Sequence, residues 1–291
     1  MDQGFPHFAW PGGARLAFSL VINVEEGAEA NIADGDRGPE PVDELGVSLK
    51  KPIRNYANES NYRYGINAGA PRILRLLERH DLTATFTACA VALERAPWLA
   101  EAIRDGAHEA CSHGYRWAHQ FHMAEDDERV YIRRATESIA RTTGTRPRGW
   151  LSRYLTTANT RRLLAEEGYT YTMDDFSHDR PFWDDTQPKP LVVVPYAVDT
   201  NDMKFWTDPA YSPDAWLRYA IDTFDWLYEE GGTMPRMMSL GLHLRIMGRP
   251  GRMAALERFV AHLKRHAGVW VTTRLAMAEH FAAVAPHGAA R

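Results

Sequence analysis

Glu25-Glu26, His113, Asp174-Asp175 and His243 each follow an apolar run, and carboxylates and imidazoles are side chains able to move protons. Two acids and two histidines around one cavity suit hydrolysis of an amide-like bond. A water must lose a proton as it attacks a carbonyl, and the departing nitrogen must gain one. The oxyanion formed between those steps needs a donor or a cation beside it. One histidine at a strand end is ordinarily a core residue; several strand ends carrying ionisable groups point to chemistry. Neither Gly-x-Ser-x-Gly nor a Gly-rich phosphate loop is present. Gly12-Gly13 precedes the first apolar run instead of following it, so serine-hydrolase and nucleotide chemistry rank low.

A divalent ion is the competing source of activated water, because a bound metal lowers the pKa of its water to about 7. Glu26 and His113 could hold one, but the fourth residue after His113 is Trp117, which offers no ligand atom. His119 and His122 are the nearby substitutes, although histidines in a polar loop are commonly just solvated. No cofactor is expected, with zinc at Glu26 and His113 as the alternative.

The elements that must position these groups alternate along the chain. Arg15–Val24 is a nearly continuous apolar strand, as expected where both faces are covered. A helix opens at Pro71 with Ile73, Leu74, Leu76 and Leu77 as its stripe, and Leu82–Ala88 is a strand. A helix over Pro97–Arg104 stops at Gly106 before the strand that ends at His113. Acids from Glu125 open the next helix, and Gly144 closes it. Arg148–Ser152 and Tyr169–Met173 are strands separated by a helix capped at Asn159. Leu191–Tyr196, a helix from Ser212 to about Glu230, a strand Met237–His243, a helix Arg252–Arg265, a strand Val269–Thr272 and a helix from Leu275 complete the series. Strand and helix in alternation imply an α/β chain with a parallel sheet, and the length favours a closed barrel over an open sheet. In either architecture Glu25, His113, Asp174 and His243 converge on one face.

With 291 residues, 45% of them hydrophobic, the chain can bury one substantial core, and we read residues 1–291 as a single domain. Residues 28–69 lack sustained periodicity and form a long inserted loop, either closing over a site, making a subunit contact or wandering over the surface. A net charge of −4 gives no general attraction to nucleic acid or to an anionic membrane. No apolar run reaches spanning length, and Met1-Asp2-Gln3-Gly4 does not open a signal peptide, so a cytoplasmic chain is expected. Cys89 and Cys111 sit in strand-like runs and read as buried free thiols.

The strand-end sets resemble the motifs of the polysaccharide-deacetylase (NodB-homology) family. Asn23-Val24-Glu25-Glu26 is similar to its Thr-Phe-Asp-Asp motif with both acids lengthened. His113-Gly114-Tyr115-Arg116-Trp117 keeps only the first histidine of His-Ser/Thr-x-x-His, and Leu240 or Leu242 beside His243 is similar to the late Leu-x-His motif. Gly149–Tyr154 stands where Arg-x-Pro-Tyr is expected, which leaves the role of Arg153 open. Asn-x-Glu-Glu-Gly, Ser-His-Gly-Tyr-Arg-Trp, Val-Pro-Tyr before Asp-Thr-Asn-Asp-Met, and Gly-Leu-His-x-Arg-x-x-Gly-Arg-Pro-Gly-Arg are similar to the family's allantoinase branch.

The resemblance implies a single-domain distorted (β/α) barrel of about seven parallel strands. It also implies a hydrolase of non-peptide C–N bonds that opens a small cyclic amide, ureide or imide without metal. On that reading Glu25 is the base, with burial beside Glu26 raising its pKa. His243 stabilises the oxyanion or protonates the leaving nitrogen, and His113 and Glu26 position water or substrate. Tyr115, Arg116, Asn201 and Asp202 bind a small polar substrate, and Trp117 narrows the pocket. The partners implied are a small-molecule substrate and further copies of the chain in a homo-oligomer. A metal-dependent N-deacetylase of amino-sugar polymers and a barrel that binds without chemistry are the alternative readings.

Overall fold

Leu16–Val24 (β1) is buried at all nine positions, as a strand covered on both faces must be. The computed structural model describes residues 6–46, 51–206 and 212–288. After β1 the chain crosses to Tyr56–Tyr64 (α1), which passes through a π-helical turn at Gly65–Gly69 into Ala70–Arg79 (α2). Thr85–Ala88 (β2), Ala90–Arg95 (α3), Pro97–Asp105 (α4), Glu109–Ser112 (β3) and Glu125–Thr143 (α5) follow. Next come Gly149–Trp150 (β4), Thr160–Glu167 (α6), Tyr171–Thr172 (β5), Phe182–Asp184 (β6) and Leu191–Val193 (β7). Asp202–Trp206 (α7), Pro213–Glu230 (α8), Arg236–His243 (β8), Leu244–Met247 (α9), Pro250–Leu263 (α10), Val269–Val271 (β9) and Arg274–Val284 (α11) end the series.

The strands form one sheet in the order β6-β7-β5-β4-β3-β2-β1-β8, with β9 also on β1. Every pairing is parallel except β6 with β7. β8 and β6 are not paired, so the sheet curls into a half-barrel where the sequence pointed to a closed one. Closure needs matched tilt and register around the whole ring. Here nine-residue β1 and eight-residue β8 face β4 and β5 of two residues each. The seam is spanned by the loop after β7: Thr200 Oγ1 donates to Ser239 O at 2.6 Å, and Asn201 makes a lone parallel bridge to Gly241.

The two-residue period of a strand decides which side chains face the inside of the curl. Leu16, Phe18, Leu20, Ile22 and Val24 of β1, with Met238, Leu240 and Leu242 of β8, pack outward under the helices. Ala17 and Val21 of β1, Cys111 of β3 and Met237 of β8 belong instead to an inner cluster filled by Trp10, Tyr171 and Phe281. Continuing the inner series by twos leads to Asn23 and Glu25, to His113, and to His243. Both cysteines are free and buried. Among the described residues no helix is long and apolar enough to cross a membrane.

Within the expected loop 28–69, the described residues 56–69 are helical. Asn55 caps α1 by accepting from Asn58 N, and the helix runs on without a break through the expected start at Pro71.

Candidate active site

At the strand ends Glu25 Oε1 lies 3.5 Å from His113 Nε2 and 3.3 Å from His243 Nε2. Each imidazole is fixed from behind. His113 Nδ1 donates to the Leu151 carbonyl at 2.6 Å, which turns Nε2 toward Glu25. His243 Nδ1 donates to Asp202 Oδ1 at 2.6 Å, and Asp202 Oδ2 accepts the His243 backbone N–H at 2.8 Å. All four side chains are buried.

A fifth group, Arg245, was not singled out by the sequence reading. It is fully buried, and its Nη1 reaches Glu25 Oε2 at 2.8 Å and Glu26 Oε1 at 3.4 Å, while Nε donates to Glu44 Oε1 at 2.9 Å. Its guanidinium lies over Tyr62 at 4.1 Å and near Trp117 at 5.6 Å. Its only mark in the sequence is its place two residues after His243 in Gly-Leu-His-x-Arg, and nothing local sets it beside the acids.

Arg245 inverts the expected electrostatics. Burial raises the Glu25 carboxyl, but the charges of His243 and Arg245 and hydrogen bonds from both histidines outweigh it and hold Glu25 well below the usual range. Glu26 is the raised acid: burial, opposed by Arg245 and aided by the Glu25 charge, pushes it from 4.5 to about 7. Burial disfavours the His243 imidazolium, yet Glu25 and Asp202 carry it from 6.5 up to about 10. The resting pair is therefore a carboxylate against an imidazolium.

These groups open onto a cavity of about 280 Å³ whose wall includes Asn23, Glu25, His113, Trp117, Ser152, Tyr154, Tyr196, Asn201, Lys204 and His243. Of the proposed substrate contacts, Trp117 and Asn201 reach it. Glu26 and Asp202 stand one layer back, holding Arg245 and His243. Tyr115 hydrogen-bonds Glu94 under Arg134, and Arg116 is spent on Asp36 at 2.6 and 2.8 Å and on Glu29 O at 2.7 Å. Asp174 is likewise one layer away, accepting from Ser152 N and Oγ at 2.7 Å. Asn23, Ser152, Tyr154, Tyr196 and Lys204 were not among the expected site residues: the first four lie within or beside the motifs quoted above but carry no role there, and Lys204 belongs to none.

The inserted segment packs against the site by ion pairs. Arg153 meets Glu40 at 2.5 and 3.1 Å, donates to Trp117 O at 2.6 Å and lies 3.7 Å over the Trp117 ring. That gives Arg153 a place: it ties Glu40 of the inserted segment to Trp117 on the cavity wall.

The sequence pattern described as polysaccharide deacetylase matches residues 60–172. A Schizosaccharomyces pombe protein named for that family is 33% identical over 302 residues, covering 96% of this chain and 94% of its own. The chain belongs to the polysaccharide deacetylase family. Among solved structures it is similar to PuuE allantoinase, with a TM-score of 0.93 and 42% identity over 98% of this chain and 96% of that one. A Pseudomonas aeruginosa PAO1 protein named for the polysaccharide deacetylases is similar too, at TM-score 0.93 and 41% identity over the same shares.

The divalent ion that other members of the family hold, the alternative at Glu26 and His113, does not fit these residues. Glu26 is taken up by the backbone N–H groups of Glu25 at 3.1 Å and Arg245 at 3.0 Å. Trp117 presents an indole where an imidazole is needed, His119 Nδ1 faces Arg153 O at 3.1 Å, and a guanidinium already occupies the acid pair. Among the described residues, three donor atoms mutually within 4.8 Å occur at Asp225, His262 and His266 instead. There His262 Nε2 donates to Asp225 at 2.7 Å and its Nδ1 faces the Arg265 guanidinium, the pattern of a surface ion pair.

Proposed function

We propose that this chain hydrolyses a non-peptide C–N bond in a small cyclic amide, ureide or imide, opening the ring without a metal. The observation that carries the reading is the Glu25 carboxylate set between two imidazole Nε2 atoms at the wall of a small cavity. Similarity to PuuE allantoinase along nearly the whole chain supports the same class of substrate.

The chemistry follows from the resting pair. A water beside Glu25 and His113 attacks the carbonyl carbon and gives its proton to Glu25 Oε1. Glu25 is a weak base in isolation, but the negative charge it loses reappears on the tetrahedral oxygen, so His243 keeps an anionic neighbour. His243 then protonates the leaving nitrogen as the C–N bond breaks. The proton on Glu25 crosses to His243 Nε2, 3.3 Å away, and the resting pair is restored. Asp202 keeps the imidazole oriented throughout.

The test is a hydrolysis screen over allantoin, hydantoins, cyclic imides and N-acetylated chito-oligomers, run with wild type and Glu25→Gln. Ring opening lost in the variant supports the reading. Deacetylation of the oligomers with the cyclic compounds untouched would replace it by a polymer deacetylase, and no turnover of any substrate would leave a binding barrel.

A further inference from the structure

We propose that the Tyr196 phenol is a catalytic residue, the neutral donor that binds the oxygen of the carbonyl under attack; this rests on the ring-opening reading above. Hydrogen bonds around the phenol oxygen fix the direction of its proton. The Tyr196 oxygen receives Asn23 Nδ2 at 3.2 Å and Asn201 Nδ2 at 3.2 Å. Neither amide can be turned round. Asn23 Oδ1 accepts from Thr87 Oγ1 at 2.7 Å and its Nδ2 also faces the Leu242 carbonyl at 3.4 Å. Asn201 Oδ1 accepts the Met203 N–H at 2.9 Å, which leaves only its NH2 for the phenol.

With both lone pairs of the phenol oxygen filled, its proton has to leave in the remaining direction. Tyr196 lines the same cavity wall as Glu25 and His243, and among the described residues no acceptor receives that proton. Two amide N–H donors also polarise the O–H and strengthen it as a donor. The fold makes room for this arrangement. A Cβ at Gly241, on the inner face of β8, would stand 2.0 Å from the Tyr196 oxygen and 3.3 Å from Asn201 Cγ. An sp2 oxygen that becomes an oxyanion is the partner such a donor fits. His243 is then free to serve the leaving nitrogen, so the carbonyl oxygen and the departing nitrogen face different donors.

Tyr196→Phe in the full chain is the first test, assayed on whichever cyclic substrate wild type opens. The expected result is a loss of roughly 100- to 1,000-fold in kcat, the usual cost of one oxyanion donor, with KM changed less than about threefold. Retention of kcat within about fivefold would overturn the proposal. Phe also strands two amide donors, so a second variant separates chemistry from architecture: 3,5-difluorotyrosine at position 196, which accepts as before but loses its proton at lower pH. A donor role predicts that kcat falls on an alkaline limb displaced downward from wild type. A purely structural acceptor predicts activity maintained through that titration, which would overturn the proposal. Glu25→Gln run alongside tells the two ideas apart, since full activity there sinks the ring-opening reading itself, whatever Tyr196 does.

Discussion

Asp202 holds His243 at two points, accepting its backbone N–H at 2.8 Å and its ring Nδ1–H at 2.6 Å. The first bond sets where the residue sits and the second sets which nitrogen faces Glu25. Asp202→Asn keeps the shape and removes the charge that favours the imidazolium. Activity should fall by at least about 100-fold in kcat, with the fold retained by circular dichroism. A variant within a few-fold of wild type would mean that His243 needs no such partner.

The same pair sets the response to pH. His243, lifted to about 10 by Glu25 and Asp202, stabilises the fold fully below its unfolded value of 6.5, and that contribution is lost as pH rises toward 10. Glu25 has the opposite sense: held below 4.5, it contributes above that value and stops contributing as pH falls through its folded pKa. Denaturant midpoints measured between about pH 6 and pH 10 should therefore decline more steeply in wild type than in His243→Gln. For turnover, kcat/KM should be flat from about pH 5 to about pH 9, because the working base and acid titrate outside that window. A bell centred near neutrality would assign the proton transfers to other groups.

Arg245 is the charge on which Glu25, Glu26 and Glu44 all converge. Arg245→Gln leaves three acids facing one another with two of them fully desolvated, and breaking a buried pair costs about 3–5 kcal/mol. Arg245→Lys keeps a charge but cannot bridge at Nη1 and Nε together, so it should recover only part of the loss. The acid limb of the rate profile should move upward in both variants as Glu25 becomes harder to ionise. An unmoved limb would show that His243 alone holds Glu25 down.

Glu40 and Arg153 offer a test of the inserted segment. Glu40→Gln leaves a buried guanidinium without its carboxylate, and Trp117 loses the clamp stacked on its ring at 3.7 Å. A rise in KM well beyond any change in kcat is expected, together with faster proteolysis within residues 28–69. Unchanged kinetics would make the segment a surface excursion with no part in shaping the cavity.

Much of this was legible from residue order because period two is a strong rule. Once Leu16–Val24 is a strand, Asn23 and Glu25 must share a face, and the same logic carries His113 and His243 to it. Helix punctuation was read well where the dihedral angle demands glycine, as at Gly144 with φ of 76°, and badly where a side chain had a choice. Asn159 precedes α6 without capping it, and its Oδ1 accepts from Arg162 instead. The α1 helix was hidden because its buried face is polar, Asn58 and Asn61 beside Tyr62, so no apolar stripe marks it. The charge states were missed for a related reason. Whether Glu25 or Glu26 is the raised acid depends on an arginine 220 positions away, and no local pattern reports that distance.

Trp117 stands where the family resemblance expects a second metal-binding histidine, so Trp117→His asks whether one side chain separates this site from a metal enzyme. The ring is buried between Arg153 and Arg245, and shrinking it leaves a cavity beside two guanidiniums at a cost of about 2–4 kcal/mol. The new imidazole would meet Arg245 already neutralising the acids a metal would need, and a divalent ion could enter only by expelling that buried charge. We therefore expect Trp117→His to be less stable by denaturant titration, to retain no stoichiometric zinc after dialysis, and to gain no zinc-dependent hydrolysis. Wild type dialysed against a chelator should keep its full rate. Zinc-activated turnover in the variant would show that the guanidinium yields its place easily, and that the loss of one histidine was the whole of the difference.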